Sequence, residues 1–248
     1  MKQYEAVILT LEKHGGVATL GLLNQEVFKI EDCDWKTKTP FASIRRIVQT
    51  DKNIYKIKPG LYGLLRFKNE HESRGIIVET EKNKNSEDVK MFNHSYYEGL
   101  LLLVGNLKGL STFVTKKDKN KKFYDNRKLD DISTLSDLPK FSFESLVQRS
   151  STIDVIWLNE RQMPHSFFEI EHSSDFQNSL LKFNDLQDFS SRMFIVADNK
   201  RKEEYLSKIK YSSFKELSGK NRVSFLDYSA LIKQYESLLE QQSYDFIL

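Results

Sequence analysis

The sequence is poor in residues that cross-link a chain or anchor it in a membrane. Cys33 is the single cysteine among 248 residues, which excludes an intramolecular disulfide framework and a cysteine-rich zinc site. The longest purely aliphatic run, residues 100–104, is far shorter than the roughly 20 apolar residues of a membrane-spanning helix. The start of the chain also lacks the apolar stretch of a signal peptide. We therefore expect a soluble, cytoplasmic protein with no membrane partner.

The excess of positive charge lies at the front of the chain. Residues 1–66 carry 11 Lys and Arg against 7 Asp and Glu, a net charge of +4, whereas the whole chain carries +3. This asymmetry suits an N-terminal module that faces a polyanion. Residues 67–90 are mostly charged and polar, as is typical of a linker. The sequence thus predicts a DNA-binding domain at 1–66, a charged linker at 67–90 and a second domain at 91–248.

The N-terminal pattern predicts three helices followed by a β-hairpin. Thr39 and Pro40 suit the start of the third helix, and residues 54–64 alternate like strands on both sides of a Pro-Gly turn. This order indicates a winged helix, whose third helix would enter the DNA major groove. The alternative is a small helical domain with an ordinary solvated basic face. The predicted DNA-binding residues are Lys38, Thr39, Ser43, Arg45, Arg46, Gln49 and Lys56.

Two apolar, strand-like segments of the second domain contain three carboxylates. Asp154 lies at the start of one segment, and Glu169 and Glu171 lie in the other. Burying an ionised carboxylate costs several kcal/mol unless the group is paired or binds a metal. A short polar turn separates the segments, so they predict an antiparallel hairpin. Such strands are better suited to building a site than to filling a core.

The predicted hairpin gathers these acids on one face. Glu169 and Glu171 must face the same side because side chains alternate along a strand, and Asp154 can lie opposite them. Oxygen ligands without histidine or thiolate neighbours favour Mg²⁺, with Mn²⁺ as a substitute, over Zn²⁺. The predicted metal-binding set is Asp154, Glu169 and Ile170, with Glu171 orienting the attacking water or a second ion. The alternative is three acids on an exposed sheet face, paired with Lys or Arg.

This acidic pattern also resembles a known superfamily. Asp154 is followed after fourteen residues by Glu169-Ile170-Glu171, and then by a helix and an apolar strand. This order resembles the PD-(D/E)xK nucleases of restriction systems. Ile153 stands where a proline often precedes the aspartate, and Glu171 replaces the usual lysine, as in the E-x-E version of some restriction enzymes. The stretch 168–174 is similar to the phrase F-E-V-E-H-(T/S) of one subgroup. The resemblance covers about residues 94–200.

The resemblance implies an α/β (α+β) fold, in which a restriction-endonuclease-like core with a mixed central sheet flanked by helices follows the winged helix. It implies a Mg²⁺-dependent, sequence-specific, type II-like endonuclease that hydrolyses double-stranded DNA, with Asp154, Glu169 and Glu171 as catalytic residues. Glu98 matches, more loosely, an acid that such enzymes often have on the first core helix. The equally weighted alternative is a glutamate at the solvent-exposed end of that helix. One active site per chain favours a homodimer for double-strand cleavage.

Two other functions fit the same pattern. A non-enzymatic winged-helix transcription regulator would use its second domain to sense a ligand or to oligomerise, and it would need no metal. A nuclease acting on modified DNA or on RNA would keep the chemistry and change the substrate. Metal binding separates the first alternative from an endonuclease, and a comparison of substrates separates the second.

Overall fold

The chain folds into two compact units, each built around its own β-sheet. The first unit comprises residues 1–92, 124–126 and those from 232 onward, and the second comprises residues 93–123 and 127–231. A three-stranded sheet lies in the first unit and a five-stranded sheet in the second, so the α+β prediction is confirmed. The structure, a computed structural model, describes residues 1–173, 175–220 and 222–244.

The first unit combines helices with three short strands. The third helix begins at Pro40, as predicted, although the Thr39 side chain makes no capping hydrogen bond. Thr19 does cap the second helix, because its Oγ1 accepts from the backbone N–H of Leu22 at 3.2 Å. The bounds are α1 Gln3–Lys13, β1 Val17–Thr19, α2 Leu20–Glu26, α3 Pro40–Thr50, β2 Ile54–Lys58, β3 Leu61–Leu64 and α4 Lys68–Ser73.

The three strands of the first unit are all antiparallel, in the order β1-β3-β2. The predicted hairpin of β2 and β3 is confirmed, and β1 adds a strand that the sequence pattern did not indicate. Gly60 turns the hairpin with φ +74°, and a Cβ at this position would lie 2.6 Å from the Ile232 side chain. Only glycine satisfies both the left-handed backbone and this close approach.

The second unit contains the larger set of elements. Residues 67–90, predicted as a linker, hold α4 and the first residues of the long helix α5, so that segment is more helical than its charged composition suggests. The bounds are α5 Glu87–Leu107, β4 Ser111–Val114, α6 Leu129–Ile132, α7 Glu144–Ser150, β5 Val155–Leu158, β6 Pro164–Ile170, α8 Phe176–Asp185, β7 Arg192–Ala197, α9 Lys202–Lys208, α10 Lys215–Gly219, β8 Val223–Asp227 and α11 Tyr228–Tyr244. Residues 93–107 of α5 belong to this unit, and those of α11 from 232 onward belong to the first.

The five-stranded sheet is mixed, in the order β4-β5-β6-β7-β8. The pairs β4–β5 and β5–β6 are antiparallel, whereas the pairs β6–β7 and β7–β8 are parallel. The predicted β5–β6 hairpin is confirmed, and its register pairs Val155 with Phe168. Helix α8 connects the parallel strands β6 and β7 as a crossover helix does. Phe167, Leu180 and Phe183 belong to one buried core of the second unit.

Helix α5 packs closely against the sheet of the second unit. The indole Nε1–H of Trp157 in β5 donates to the backbone oxygen of Leu101 at 3.0 Å. A Cβ built on Gly105 would lie 2.5 Å from Thr112 and 2.7 Å from Trp157, so only glycine fits at this contact. No helix among the described residues is both long and apolar enough to cross a membrane.

Candidate active site

The structure brings the predicted acids to one end of the β5–β6 hairpin. Asp154 lies immediately before β5, Glu169 lies in β6, and Glu171 follows that strand. The backbone N–H of Ile170 donates to Asp154 Oδ2 at 2.8 Å, which places this carboxylate beside the strand of the two glutamates. Glu169 and Glu171 are only 3 % and 5 % exposed. The alternative of acids on an exposed sheet face is therefore wrong for the two glutamates.

One hydroxyl joins the two glutamates. Ser179, on the buried side of α8, has its Oγ 2.9 Å from Glu169 Oε2 and also contacts Glu171 Oε1. A serine hydroxyl has a single hydrogen to donate, so the second carboxylate must share that hydrogen or supply its own. The sharing holds the carboxylates of Glu169 and Glu171 on the same side of the strand, as the alternation of side chains predicts.

Lys182, one helical turn after Ser179, forms an ion pair with Glu169. Its Nζ lies 2.9 Å from Glu169 Oε1 and 2.8 Å from Oε2, and it also donates to the backbone oxygen of Thr152 at 2.9 Å. Burial and the negative charge of Asp154 raise the pKa of Glu169, and Lys182 and Ser179 oppose this change only in part. A positive charge therefore lies at the predicted site even though the E-x-E motif has no lysine.

A second cluster of possible ligands shares Asp154. It consists of His94 and Glu98 on α5, Asp118 after β4, and Asp154, with one ligand atom from each within 4.8 Å of the others. His94 Nε2 lies 3.4 Å from Glu98 Oε1 and 3.8 Å from both Asp118 Oδ2 and Asp154 Oδ2. We call these four residues the His94 cluster. Among the described residues, no other group of three or more His, Cys, Asp or Glu side chains converges in this way.

Glu98 lies at the deepest point of the His94 cluster. Its side chain is fully buried, and neither carboxylate oxygen has a hydrogen-bond partner among the described residues. Burial raises the pKa of Glu98 to about 8, although nearby His94 acts in the opposite direction. For His94, burial disfavours the charged form, but the Glu98 carboxylate and Asp154 outweigh it and raise the pKa to about 9. Asp118, also buried, forms an ion pair with Lys121.

The predicted DNA-binding residues lie on or near α3 and on β2 of the first unit. Arg45 Nη2 forms an ion pair with buried Glu236 Oε2 of α11 at 3.0 Å, and Ser43 Oγ donates to the Thr39 backbone oxygen at 3.3 Å. Ser43 is half-buried. The exposed members of the predicted set are Lys38, Thr39, Arg45, Arg46, Gln49 and Lys56.

Comparison with known proteins identifies a family for the part of the chain that carries the acids. A protein-family model described as the C-terminal domain of the type II restriction enzyme NmeDI matches residues 76–246. The chain belongs to this family. Type II restriction enzyme NmeDI of Neisseria meningitidis serogroup C is 24 % identical over 164 residues, which cover 62 % of this chain and 45 % of that enzyme. The chain thus spans less than half the length of this relative. No solved structure matches the chain.

The region that matches the NmeDI family includes both acidic groups and excludes residues 1–66. Within it, the sequence pattern indicated Asp154, Glu169, Glu171 and Glu98 but did not indicate His94, Asp118, Lys182 or Ser179. The spacing of His94 and Glu98, one helical turn apart, was a usable signal for a shared face. Asp118 lies in a run of lysines that predicts a solvated loop. Ser174, part of the motif quoted above, lies outside the described residues.

Proposed function

We propose that the protein is a type II-like restriction endonuclease that hydrolyses phosphodiester bonds of double-stranded DNA in a sequence-specific manner. The observation that carries the proposal is that Asp154, Glu169 and Glu171 lie at one end of a buried hairpin, inside the region that matches a restriction-enzyme family. The printed name of the relative, a type II restriction enzyme, supports the same reaction class. One active site per chain further favours a homodimer.

The order of elements supports a PD-(D/E)xK core of the E-x-E type. The second unit contains, in this order, the long helix α5, the antiparallel strands β4 to β6, the crossover helix α8 and the parallel strand β7, with the short helices α6 and α7 between β4 and β5. Asp154 lies immediately before β5, Glu169 lies in the neighbouring strand β6, and Glu171 stands where this superfamily usually has a lysine. This arrangement supports the resemblance in the sequence, and we assign the catalytic role to the same three acids, with Glu98 on the first core helix.

The residues at the hairpin end fit Mg²⁺ as a cofactor. Asp154 contributes to the raised pKa of Glu169 by charge repulsion, and a divalent cation relieves such repulsion between carboxylates. Asp154 and Glu169 would hold the ion, and Ile170 can add only its backbone carbonyl oxygen. When bound, the ion would polarise the scissile phosphate and lower the pKa of the attacking water. Mn²⁺ would substitute.

The protein side chains supply the other charges that the reaction needs. Lys182 places an ammonium group against both Glu169 oxygens, and we assign it the electrostatic role that the missing motif lysine would have, stabilising negative charge that develops on the phosphate. Ser179 holds Glu169 and Glu171 together, so Glu171 orients the attacking water through a carboxylate that is itself fixed.

The first unit would bind the DNA. Its order of helix, strand, two helices and a β-hairpin supports the winged-helix interpretation, with α3 in the major groove. Arg46 and Gln49 are exposed on α3, and Lys38, Thr39 and Ser43 lie at or near its start. Lys56 lies on β2 of the hairpin. We assign base contacts to the α3 side chains and phosphate contacts to the lysines.

Replacing Asp154 or Glu169 tests the proposal. In Mg²⁺, we expect D154N and E169Q to lose at least a thousandfold in the rate of plasmid cleavage while binding DNA as the wild type does in a gel-shift assay. E160Q changes an exposed acid of the β5–β6 turn and should cleave normally. Cleavage that survives both substitutions would contradict the assignment.

A digest of methylated and unmethylated genomic DNA, with sequencing of the ends, identifies the substrate. Ends at one short sequence in unmodified DNA are expected. Cutting confined to modified DNA, or cutting of an RNA control instead, would replace the proposed substrate, and the absence of all metal-dependent cleavage would favour a regulator. Light scattering of the purified protein tests the homodimer.

A further inference from the structure

We propose that His94, Glu98, Asp118 and Asp154 form a second divalent-cation site, which takes a cation of the Mn²⁺ class that accepts an imidazole nitrogen together with carboxylate oxygens. The sequence pattern predicts no role for His94 or Asp118. This inference deepens the proposed function and rests on it, because Asp154 would serve both this site and the one at Glu169.

The spacing of the His94 cluster suits one ion. Its four ligand atoms all lie within 4.8 Å of one another. In an octahedral site with bonds of about 2.1 Å, neighbouring ligand atoms lie about 3 Å apart and opposite ones about 4.2 Å apart. A small contraction of side chains that already converge from α5, from the segment after β4 and from the start of β5 therefore brings all four within bonding distance of a single cation.

Glu98 provides an independent indication of a missing partner. Its carboxylate is completely buried and points into the cluster, yet neither oxygen accepts a hydrogen bond within the described part of the chain. Buried carboxylates are normally hydrogen-bonded, paired or bound to a metal, because the loss of hydration is otherwise uncompensated. The nearest cationic group, His94 Nε2, lies 3.4 Å from Glu98 Oε1, and Oε2 has no hydrogen-bond partner among the residues that the structure describes.

The ligand types indicate which cation binds. Three carboxylates make the site suitable for a hard ion, whereas the imidazole adds a nitrogen donor that transition-metal ions bind more strongly than Mg²⁺ or Ca²⁺ does. Lys121 already neutralises part of the charge on Asp118. The negative charge that remains on the three carboxylates suits a divalent ion and not a more highly charged one. Mn²⁺ combines tolerance of carboxylates with affinity for imidazole, and we expect it to bind at least tenfold more tightly than Mg²⁺.

The site is distinct from the one at Glu169. Both Glu169 oxygens contact Lys182, and one also contacts Ser179, so the ammonium group compensates this carboxylate locally. Asp154 alone belongs to both groups, with its Oδ2 accepting from the Ile170 N–H at 2.8 Å and lying 3.8 Å from His94 Nε2. A substitution at Glu169 should therefore leave the cation at the His94 cluster in place.

Pulsed electron paramagnetic resonance of bound Mn²⁺ tests the inference on the full chain after removal of any affinity tag. We expect a directly coordinated ¹⁴N coupling in the wild-type protein, its loss in H94A, and at least tenfold weaker Mn²⁺ affinity in H94A, D118N and E98Q. H165A removes an exposed histidine of the same unit and should keep both the coupling and the affinity, as should E160Q. E169Q should keep the ¹⁴N coupling.

The possible outcomes separate the second site from the proposed function. Absence of a ¹⁴N coupling in the wild type, absence of Mn²⁺ binding, or unchanged affinity in folded H94A and D118N would each overturn the second site, even if the protein cleaves DNA. A ¹⁴N-coupled site in a protein that cleaves no DNA would overturn the nuclease assignment instead. Circular dichroism establishes whether each variant is folded. If H94A does not fold, the wild-type spectrum and the Mn²⁺ affinity of the near-isosteric E98Q still test the second site.

Discussion

Both units bury charged side chains, but the buried charges are separated in the first unit and grouped in the second. In the first unit, Lys58 and Glu236 are each 6 % exposed and lie apart in the chain; Glu236 pairs with Arg45, and Lys58 Nζ lies 5.6 Å from the ring centre of Phe92. In the second unit, four buried carboxylates gather around the start of the β5–β6 hairpin. These residues are Glu98, Asp118, Glu169 and Glu171.

The difference indicates which buried charges serve structure and which serve chemistry. A buried charge that is compensated by local contacts adds little net stability, because desolvation offsets most of the attraction. Burial, together with the repulsion of neighbouring carboxylates, raises the pKa values of Glu98 and Glu169. Clusters of perturbed carboxylates are typical of functional sites. The comparison can be tested by substitutions in each unit.

Among the substitutions that test this comparison, the largest effect is expected at Lys182. If its ammonium group replaces the motif lysine, K182M should lower the rate of DNA cleavage by roughly 10² to 10³-fold, the usual consequence of removing one electrostatic stabiliser of the transition state. K182R, which keeps the charge, should recover part of that loss. Single-turnover cleavage in Mg²⁺ measures the chemical step directly.

The control for Lys182 is K202M, which removes an exposed lysine at the start of α9. It should cleave like the wild type. A K182M protein that is folded and cleaves at the wild-type rate would show that the ion pair with Glu169 is only structural, and the distinction between the two units would then weaken.

An effect of intermediate size is expected at Lys58. Burial lowers the pKa of this side chain from 10.5 to about 8, so the unfolded chain binds more protons than the folded one between these values. The wild-type stability should therefore rise with pH across this window. K58M removes the buried charge together with its attraction to Glu79, and it should raise the free energy of unfolding at pH 7 by at most about 3 kcal/mol, at about 1.4 kcal/mol per pKa unit.

Urea unfolding at several pH values measures this change. The advantage of K58M should shrink as the pH rises from 8 towards 10.5, and the neighbouring exposed Lys56, replaced in K56M, should show no such trend. A K58M protein less stable than the wild type at pH 7 would mean that the interactions of Lys58 outweigh the free-energy cost of burying its charge.

The smallest expected effect concerns the Arg45–Glu236 pair. Arg45 is about half exposed, and such a pair is worth about 1 kcal/mol or less. R45A should weaken DNA binding about fivefold if Arg45 contacts DNA, at the scale of a single exposed charge contact. E236Q releases Arg45 and should strengthen binding by about twofold.

Fluorescence anisotropy with a labelled duplex at two salt concentrations measures both variants. R45A should also reduce the dependence of affinity on salt, because one phosphate contact is lost. Equal affinity of the wild type, R45A and E236Q would limit Arg45 to a structural role in the first unit.

The sequence was sufficient to predict the strands around the motif because the signals there are local. The alternation of apolar and polar residues predicts the β5–β6 hairpin, and the i, i+2 spacing places Glu169 and Glu171 on one side. The start of α3 at Pro40 and the β2–β3 hairpin follow from equally local signals, and the structure has both.

The rest of the candidate site depends on contacts between distant segments. Asp118 lies among lysines that predict a solvated loop, and its approach to Asp154 depends on the pairing of β4 with β5. Lys182 is on the polar side of an amphipathic helix, where a lysine is ordinary, and the position of α8 relative to β6 alone brings it to Glu169. Local patterns contain no information on either contact.

The tight contact at Gly105 has a consequence for the precision of the chemistry. Helix α5 carries His94 and Glu98 and meets Thr112 and Trp157 at Gly105, about two turns beyond Glu98. The position of the helix on the sheet therefore depends on the absence of a side chain at Gly105. A methyl group at residue 105 would push this end of the helix off the sheet and change the alignment of His94 and Glu98, although it touches neither residue.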